Sequence, residues 1–342
     1  MPLIEFIRSR LGWVVFSVIF AFGIVWMPLA ADAAPDPKLV VGPKDCGECH
    51  KAVAESWGKT KHYSGFRKLT QRKEARRIAK RMKIRRIKRA SLCMNCHFTS
   101  KMKGKRARPI AGVSCESCHS PAKNWVDVHQ NFGGAEATSK TEAAGHRKER
   151  LAKLKAAGMI RPSNIYALAS NCFQCHTVPF EKLVNVGKHT PGSKFELVAW
   201  SQGEVRHNYV ASGEKSNDEA SPERKRVLFL VGKAVELEYN LRGVAKSTKK
   251  ATYAVQMARR AKSAMETFKK VAELVPTPEV KEILDVAAGV KLTLNNGKAL
   301  VAAADKISKA AQKLASGYDG SKWAALDALI PKPNQYQGKP AK

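Results

Sequence analysis

Eight cysteines and four histidines of this chain fall into one repeated pattern: Cys46-x-x-Cys49-His50, Cys93-x-x-Cys96-His97, Cys115-x-x-Cys118-His119 and Cys172-x-x-Cys175-His176. The pattern uses every cysteine in the sequence. Two thiols separated by two residues can add to the two vinyl groups on one edge of a porphyrin. The histidine that follows can then swing under the ring and give iron its proximal ligand. Competing chemistries fit less well. A thioredoxin-like redox pair needs no histidine after each pair. A structural zinc site would pair two Cys-x-x-Cys units. A disulfide framework would not space its cysteines so uniformly. The expectation is four covalently attached haem c groups, each with its iron.

Five histidines remain: His62, His129, His146, His189 and His207. A second histidine makes a haem iron six-coordinate and low in potential, a methionine raises the potential, and an open position lets a small molecule reach the metal. The distal ligands therefore decide between a carrier and a catalyst. His146, inside His-Arg-Lys-Glu-Arg, reads as a surface histidine. Met94 and Met102, near the second motif, read as loop residues rather than ligands.

The elements that must hold these residues divide the chain. All cysteines and histidines lie before Val210. Residues 34–215 read as a multihaem domain of short helices and long loops, with little strand. Residues 216–325 read as an antiparallel helical hairpin or small bundle, so the fold class is mainly α. Ser221-Pro222 is an N-cap followed by proline in the first turn. Tyr253, Met257, Ala261, Ala264, Phe268 and Val271 repeat at near-helical spacing. Pro276 and Pro278 end that helix, and Asn295-Asn296-Gly297 is a candidate turn. These helices could serve self-association into a homo-oligomer, partner docking, or simple capping of the haem domain. The Lys-, Pro- and Gly-containing tail, residues 326–342, is expected to be disordered.

The N-terminus carries an address. Arg8 and Arg10 precede an apolar run from Leu11 to Leu29, and Ala31-Asp32-Ala33 is a small-residue cleavage site. Residues 1–33 read as a secretory signal peptide, with an uncleaved membrane anchor as the competing reading. Either places the haem domain in the periplasm, where c-type haem is attached.

The charge is extreme, with 61 Lys and Arg against 29 Asp and Glu, a net +32. Thirteen of the basic residues lie between Arg67 and Arg89, with Glu74 as the lone acid among them. A second basic run spans Lys101 to Arg108. In a cytoplasmic protein such runs would suggest nucleic acid. For an exported chain no nucleic-acid partner is expected. Redox partner proteins with acidic faces, or an anionic membrane surface, fit the charge better.

Several of these segments are similar to the tetrahaem cytochrome c-554 family, the multihaem c-type cytochromes related to the electron acceptor of hydroxylamine oxidoreductase. Cys46-Gly-Glu-Cys49-His50-Lys51, followed by Ser56-Trp57 and His62, resembles that family's first haem motif, tryptophan and distal histidine. Gly112-Val113-Ser114-Cys115-Glu116-Ser117-Cys118-His119, followed by Pro121, Asn124 and His129, resembles its third. The fourth motif, after Asn171, sits in register. The resemblance covers about residues 44–209. The basic insertion between His62 and Cys93 and the helices after Ser221 lie outside it.

The resemblance implies roles. His129 would cap the haem of His50, and His62 a neighbouring haem, that of His119. His207, in Gly203-Glu-Val-Arg-His207-Asn-Tyr209, would cap the haem of His176. The family's second haem is five-coordinate, which leaves the haem of His97 as the candidate open iron. His189-Thr190-Pro191 aligns with the segment lining that open face. A histidine there is a departure: it could ligate the iron and close the site, or stand off as a distal proton donor.

Two functions follow. The first is electron transfer between redox proteins through closely packed, mostly bis-histidine haems. The alternative is an oxidoreductase acting on nitric oxide, nitrite or hydroxylamine at the haem of His97. No Cys-x-x-Cys-Lys motif and no tyrosine placed for a porphyrin crosslink is present, so the balance favours the carrier.

Overall fold

The computed structural model describes residues 35–341 apart from residue 214. The signal or anchor segment at residues 1–33 lies outside the described residues. The architecture is mainly α: fifteen α-helices and one two-stranded antiparallel sheet among the described residues. No helix among them is long and apolar enough to cross a membrane.

The haem-motif half begins with short helices. α1 (Pro43–Cys49), α2 (Lys51–Gly58) and α3 (Lys61–Lys68) follow one another closely. Thr60 caps α3 by accepting from the Tyr63 N–H, as an N-cap threonine does. The basic insertion forms α4 (Lys73–Arg81), and α5 (Ser91–His97) carries the second motif. The hairpin strands β1 (Thr99–Lys103) and β2 (Arg106–Ala111) pair with Thr99 opposite Ala111 and Lys103 opposite Arg106. α6 (Cys115–His119) is the third motif itself, and α7 (Val126–Gln130) and α8 (Ala144–Ala156) follow. α9 (Ile165–His176) ends on the fourth motif; α10 (Glu181–Asn185) and α11 (Leu197–Ser201) complete this half.

The C-terminal half is a bundle of four helices: α12 (Pro222–Ala245), α13 (Thr252–Leu274), α14 (Pro278–Ala288) and α15 (Gly297–Gly317). Ser221 caps α12 and Thr277 caps α14, each with proline in the first turn. The residues that repeat along α13 are its buried face: Tyr253, Met257, Ala261, Ala264, Phe268 and Val271. Asn295, at a φ of 63°, makes the turn before α15. α12 is the central element, packed between α13 and α15 and against α9. Close approach needs glycine there. A Cβ at Gly243 would stand 2.7 Å from Met257 on α13, and one at Gly232 would stand 2.8 Å from Leu197 on α11.

The apolar face of the bundle is continuous with the fourth motif. Ala169 and Phe173 of α9 and Leu197 and Val198 of α11 share one core with α12–α15. A polar bridge crosses the same seam. The Tyr166 hydroxyl on α9 donates to Glu238 Oε2 at 2.9 Å, while Arg242 donates to Glu238 at 2.9 Å and to Asp305 of α15 at 2.8 Å.

The expected disordered tail is corrected by the structure. Residues 326–341 are docked rather than free: the Gln337 N–H donates to the Ala199 carbonyl at 2.9 Å, and its own carbonyl accepts from Glu204 at 2.9 Å. Asn217 donates to the Ala341 carbonyl at 3.0 Å. Composition suggested solvation, but these backbone groups find partners on the haem-motif half.

Candidate metal centres

Each Cys-x-x-Cys-His pattern lies in or ends a helical turn: α1, α5, α6 and α9. That turn puts both thiols on one side and delivers the histidine beneath them. The four proximal histidines do not stand alone. His50 faces His129 with ring centres 6.3 Å apart, His62 faces His176 at 6.3 Å, His97 faces His189 at 6.3 Å, and His119 faces His207 at 6.1 Å. A metal–imidazole bond of about 2.0 Å and about 1.1 Å from nitrogen to ring centre place two rings on one metal about 6.2 Å apart. All four pairs meet that spacing.

Two pairings differ from those the resemblance implies. His62 lies opposite His176 rather than His119, and His207 lies opposite His119 rather than His176. Local tethers explain the exchange. Tyr209, two residues after His207, accepts from Ser56 Oγ of α2 at 2.9 Å. This holds the His207 segment over the first and third motifs. The start of α3 is tied to the other end of the same segment, with the Lys61 N–H on Glu204 at 3.3 Å. His129 lies opposite His50, the histidine with which the resemblance pairs it. His146 lies apart from the pairs: it is half-exposed, and its Nδ1 meets Glu142 at 2.7 Å.

The rings are set for ligation at Nε2. The Nδ1 atoms of His119, His189 and His207 lie 2.8, 2.8 and 2.6 Å from the carbonyls of Ile160, Thr190 and Val205. Nδ1 of His129 meets the Val126 carbonyl, and that of His176 meets Ser193 Oγ at 2.8 Å. A carbonyl can only accept, so there Nδ1 carries the proton and Nε2 keeps its lone pair. Burial reinforces this. It is the first cause that pushes His97 down to about 4, ahead of the neighbouring His189 and His62. Burial also leads in pushing His176 to about 4, ahead of His62 and Arg260. His62, His119 and His129 are lowered, each mainly by burial. These imidazoles are neutral at pH 7, the state that binds metal.

The cysteines give the order of the motifs. Their sulfurs stand where thioether sulfurs would be once a porphyrin is attached, so their contacts report which motifs are neighbours. Cys46 of the first motif, whose thiol donates to the Gly42 carbonyl at 3.6 Å, adjoins Cys115 of the third. Cys96 of the second adjoins Cys175 of the fourth, and Cys118 of the third adjoins Cys172 of the fourth. Cys49 and Cys93 complete the first and second motifs. The motifs run first, third, fourth, second, and the His97 and His50 motifs are its two ends.

Residues outside the motifs fix this array. Glu116, 1% exposed within the third motif, accepts from the backbone N–H groups of Val41, Gly42 and Ala122 at 2.9, 2.8 and 2.8 Å. It thereby joins the lead-in to the first motif, the third motif and the segment leading to His129. Sequence reasoning quoted this residue but gave it no role; a carboxylate between two motif cysteines was the available signal. Gly112 is required by close approach, since a Cβ there would stand 2.0 Å from the His62 carbonyl oxygen. Trp57 Nε1 donates to the Val113 carbonyl at 2.8 Å. Two buried N–H donors, Trp125 Nε1 and Arg206 Nε, make no hydrogen bond within the protein. Trp125 sits edge-on to His129 at 5.6 Å, and Arg206 precedes His207. Ionised propionates on a haem edge would satisfy such donors, and the donor set fits the group.

Paired imidazoles beside paired cysteines define the residue set of a c-type cytochrome. Residues 45–120 match the family described as cytochrome c554 and c-prime. Cytochrome c-554 of Nitrosomonas europaea is 36% identical over 115 residues, which is 31% of this chain and 47% of that protein. Both matches fall within the haem-motif half, which is similar to the cytochrome c-554 family, and its Cys-x-x-Cys-His patterns are those that attach haem c. It spans about half the length of the curated relative it matches. No solved structure matches it.

Proposed function

We propose that this chain is an exported tetrahaem cytochrome that passes electrons between redox proteins through four bis-histidine haems. One observation carries the reading: four proximal histidines each face a second histidine at 6.1–6.3 Å. Haem c, when bound, supplies an iron that cycles between the ferric and ferrous states. The protein's own contribution is to hold eight imidazoles in place and to set the four motifs in one series. Two histidines at each haem iron would keep the same protein ligands in both oxidation states, which suits transfer without bond making. The basic surface suits brief encounters with acidic redox proteins, and the periplasm is where such a chain acquires its haem.

The alternative, an enzyme for small nitrogen species, needs an open iron at His97. His189 stands opposite that ring at the same distance as the other three distal histidines, with its Nδ1 tied to a carbonyl. The residue that departs from the family's pattern therefore supports four relays rather than three relays and a catalyst.

The electronic spectrum of the oxidised protein tests this. Four irons per chain, a wholly low-spin spectrum, and no change on adding nitric oxide or cyanide are expected. A high-spin fraction near one haem in four, shifted by those ligands, would overturn the reading in favour of the enzyme.

A further inference from the structure

The basic insertion and the hairpin form a single surface at one end of the motif series. The short helical turn at Ile87–Arg89 packs on both α5 and β2, so it joins the insertion to the second motif and the hairpin. Lys88 Nζ stands 3.7 Å from the Phe66 ring centre and 5.6 Å from that of Phe98, the residue after His97. On the other side of the same site, Arg81 Nη1 donates to the Gly187 carbonyl at 3.3 Å, two residues before His189. The insertion thus touches both segments that carry the histidines of this centre.

Its charges are arranged against its own stability. Across the hairpin, Lys101 pairs with Arg108 and Lys103 with Arg106. Like charges directly opposite each other destabilise an antiparallel pair, and a two-stranded ribbon has little stability to spare. Arg86 is the first cause of a lowered pKa at Arg89, with Arg108 and Arg106 adding to it. Among the described residues, Glu74 pairs with Arg77 and Arg81, and no carboxylate pairs with the cations from Lys83 to Arg108. A recess of about 590 Å³ opens beside them, with Arg76, Lys80, Arg85, Arg86 and Lys88 in its wall.

We infer that this surface, residues 83–89 with the hairpin at 99–111, is the docking site for an acidic redox protein, and that electrons cross there to or from the centre of His97 and His189. The inference rests on the carrier reading and adds where the partner sits and which end of the series it serves. An acidic protein supplies what the surface lacks: carboxylates to relieve the hairpin pairs and a projecting loop to enter the recess. A flat bilayer reaches the hairpin but not a concavity, which favours the protein over a lipid surface. Electrostatic complementarity of this kind acts mainly on the association rate and weakens with salt.

The test uses the full haem-bound protein and a reduced plant-type ferredoxin, an acidic one-electron donor, in stopped flow. Each encounter moves one electron from the reduced [2Fe–2S] cluster to one ferric haem iron. The surface variant carries Arg86→Gln, Arg89→Gln, Arg106→Gln and Arg108→Gln. A control removes four charges from the exposed side of α15: Lys298→Gln, Lys306→Gln, Lys309→Gln and Lys313→Gln. At low salt the surface variant is expected to lose about tenfold or more in second-order rate and most of its salt dependence, while the control stays within about twofold. A set with lysine at the same four arginine positions retains the charges and is expected to keep most of the rate, which separates docking from misfolding. Equal losses in the surface variant and the control, or no loss in either, would overturn the inference. So would an unchanged ferredoxin rate alongside lost binding to vesicles of equimolar phosphatidylglycerol and phosphatidylcholine, because the surface would then serve a membrane. A wild-type protein that failed to take up electrons from ferredoxin at any salt would remove the carrier reading itself.

Discussion

The C-terminal bundle and the haem-motif half bury their residues by different means. In α12–α15 the interior is made by the chain: Phe268, Leu237, Leu241, Ile283 and Leu300 are all 0% exposed. Before residue 160 large buried side chains are few. The cluster there consists of Ala122, Trp125 and Leu154 with partly buried neighbours. Short helices with little apolar surface of their own cannot offset the entropy of ordering the backbone. A porphyrin is a large apolar slab, and one held at each Cys-x-x-Cys-His motif can supply the missing interior. The lesson is that one half specifies its core by side-chain periodicity, and the other by the spacing of residues that hold a cofactor.

Removing the cofactor breaks the comparison most directly. Protein made without haem attachment, or with all eight motif cysteines changed to serine, is expected to lose ordered structure before about residue 160. The bundle is expected to stay helical. Limited proteolysis should leave a C-terminal fragment that begins between α9 and α12, and circular dichroism should retain the helical signal of that fragment. A single cooperative loss of both halves would show instead that the seam at α9 and α11 makes the bundle depend on haem.

The converse change acts on the bundle alone. Phe268→Ala empties a fully buried site on α13, and such a truncation costs about 3–5 kcal/mol. Denaturant unfolding of the haem-bound protein should show that loss, while the visible spectrum of the folded state stays unchanged. A changed spectrum would mean that packing in the bundle reaches the axial ligands. The route is visible: Arg260 on α13 donates to the Ser193 carbonyl, and Ser193 Oγ meets His176.

How much could be read from the chain differs between the halves in the same way. The helix start at Ser221, the buried face of α13 and the turn at Asn295 were legible, because caps, proline and a 3.6-residue period are local signals; the cap at Thr277 was not read, although Thr before Pro278 carries the same signal. The attachment motifs and the candidate distal histidines were legible as residue types. Which distal histidine faces which proximal one was not. That depends on contacts distant in sequence, such as Ser56 with Tyr209 and Gly112 with the His62 backbone. The fate of the tail was hidden for a related reason. Its composition is that of a solvated segment, and only the tertiary partners of Gln337 and Ala341 hold it down.

The smallest effect sharpens the comparison at the outer end of the haem-motif half, where a polar clamp stands in for a core. Arg150 of α8 donates from Nη1 to the His129 carbonyl at 2.9 Å and from Nε to Glu142 at 2.7 Å. Its guanidinium also lies over the Phe132 ring at 4.7 Å. The bond from Arg150, with a further one from His146, holds the Glu142 carboxyl down to about 2, below its ordinary 4.5. A carboxyl depressed in the folded state stabilises that state fully above its unfolded pKa, and the contribution fades as pH falls through the folded value. Melting of the haem-bound protein should therefore lose stability as pH drops from about 4.5 toward 2. Glu142→Gln should start from a lower plateau and show a smaller decline over that window, with the difference between the two proteins closing near pH 2. Because Arg150 also holds the His129 carbonyl, the same acid step should first perturb the low-spin signal of the His50 centre. Identical pH profiles for the two proteins would show that the clamp contributes nothing, and that haem ligation alone fixes His129.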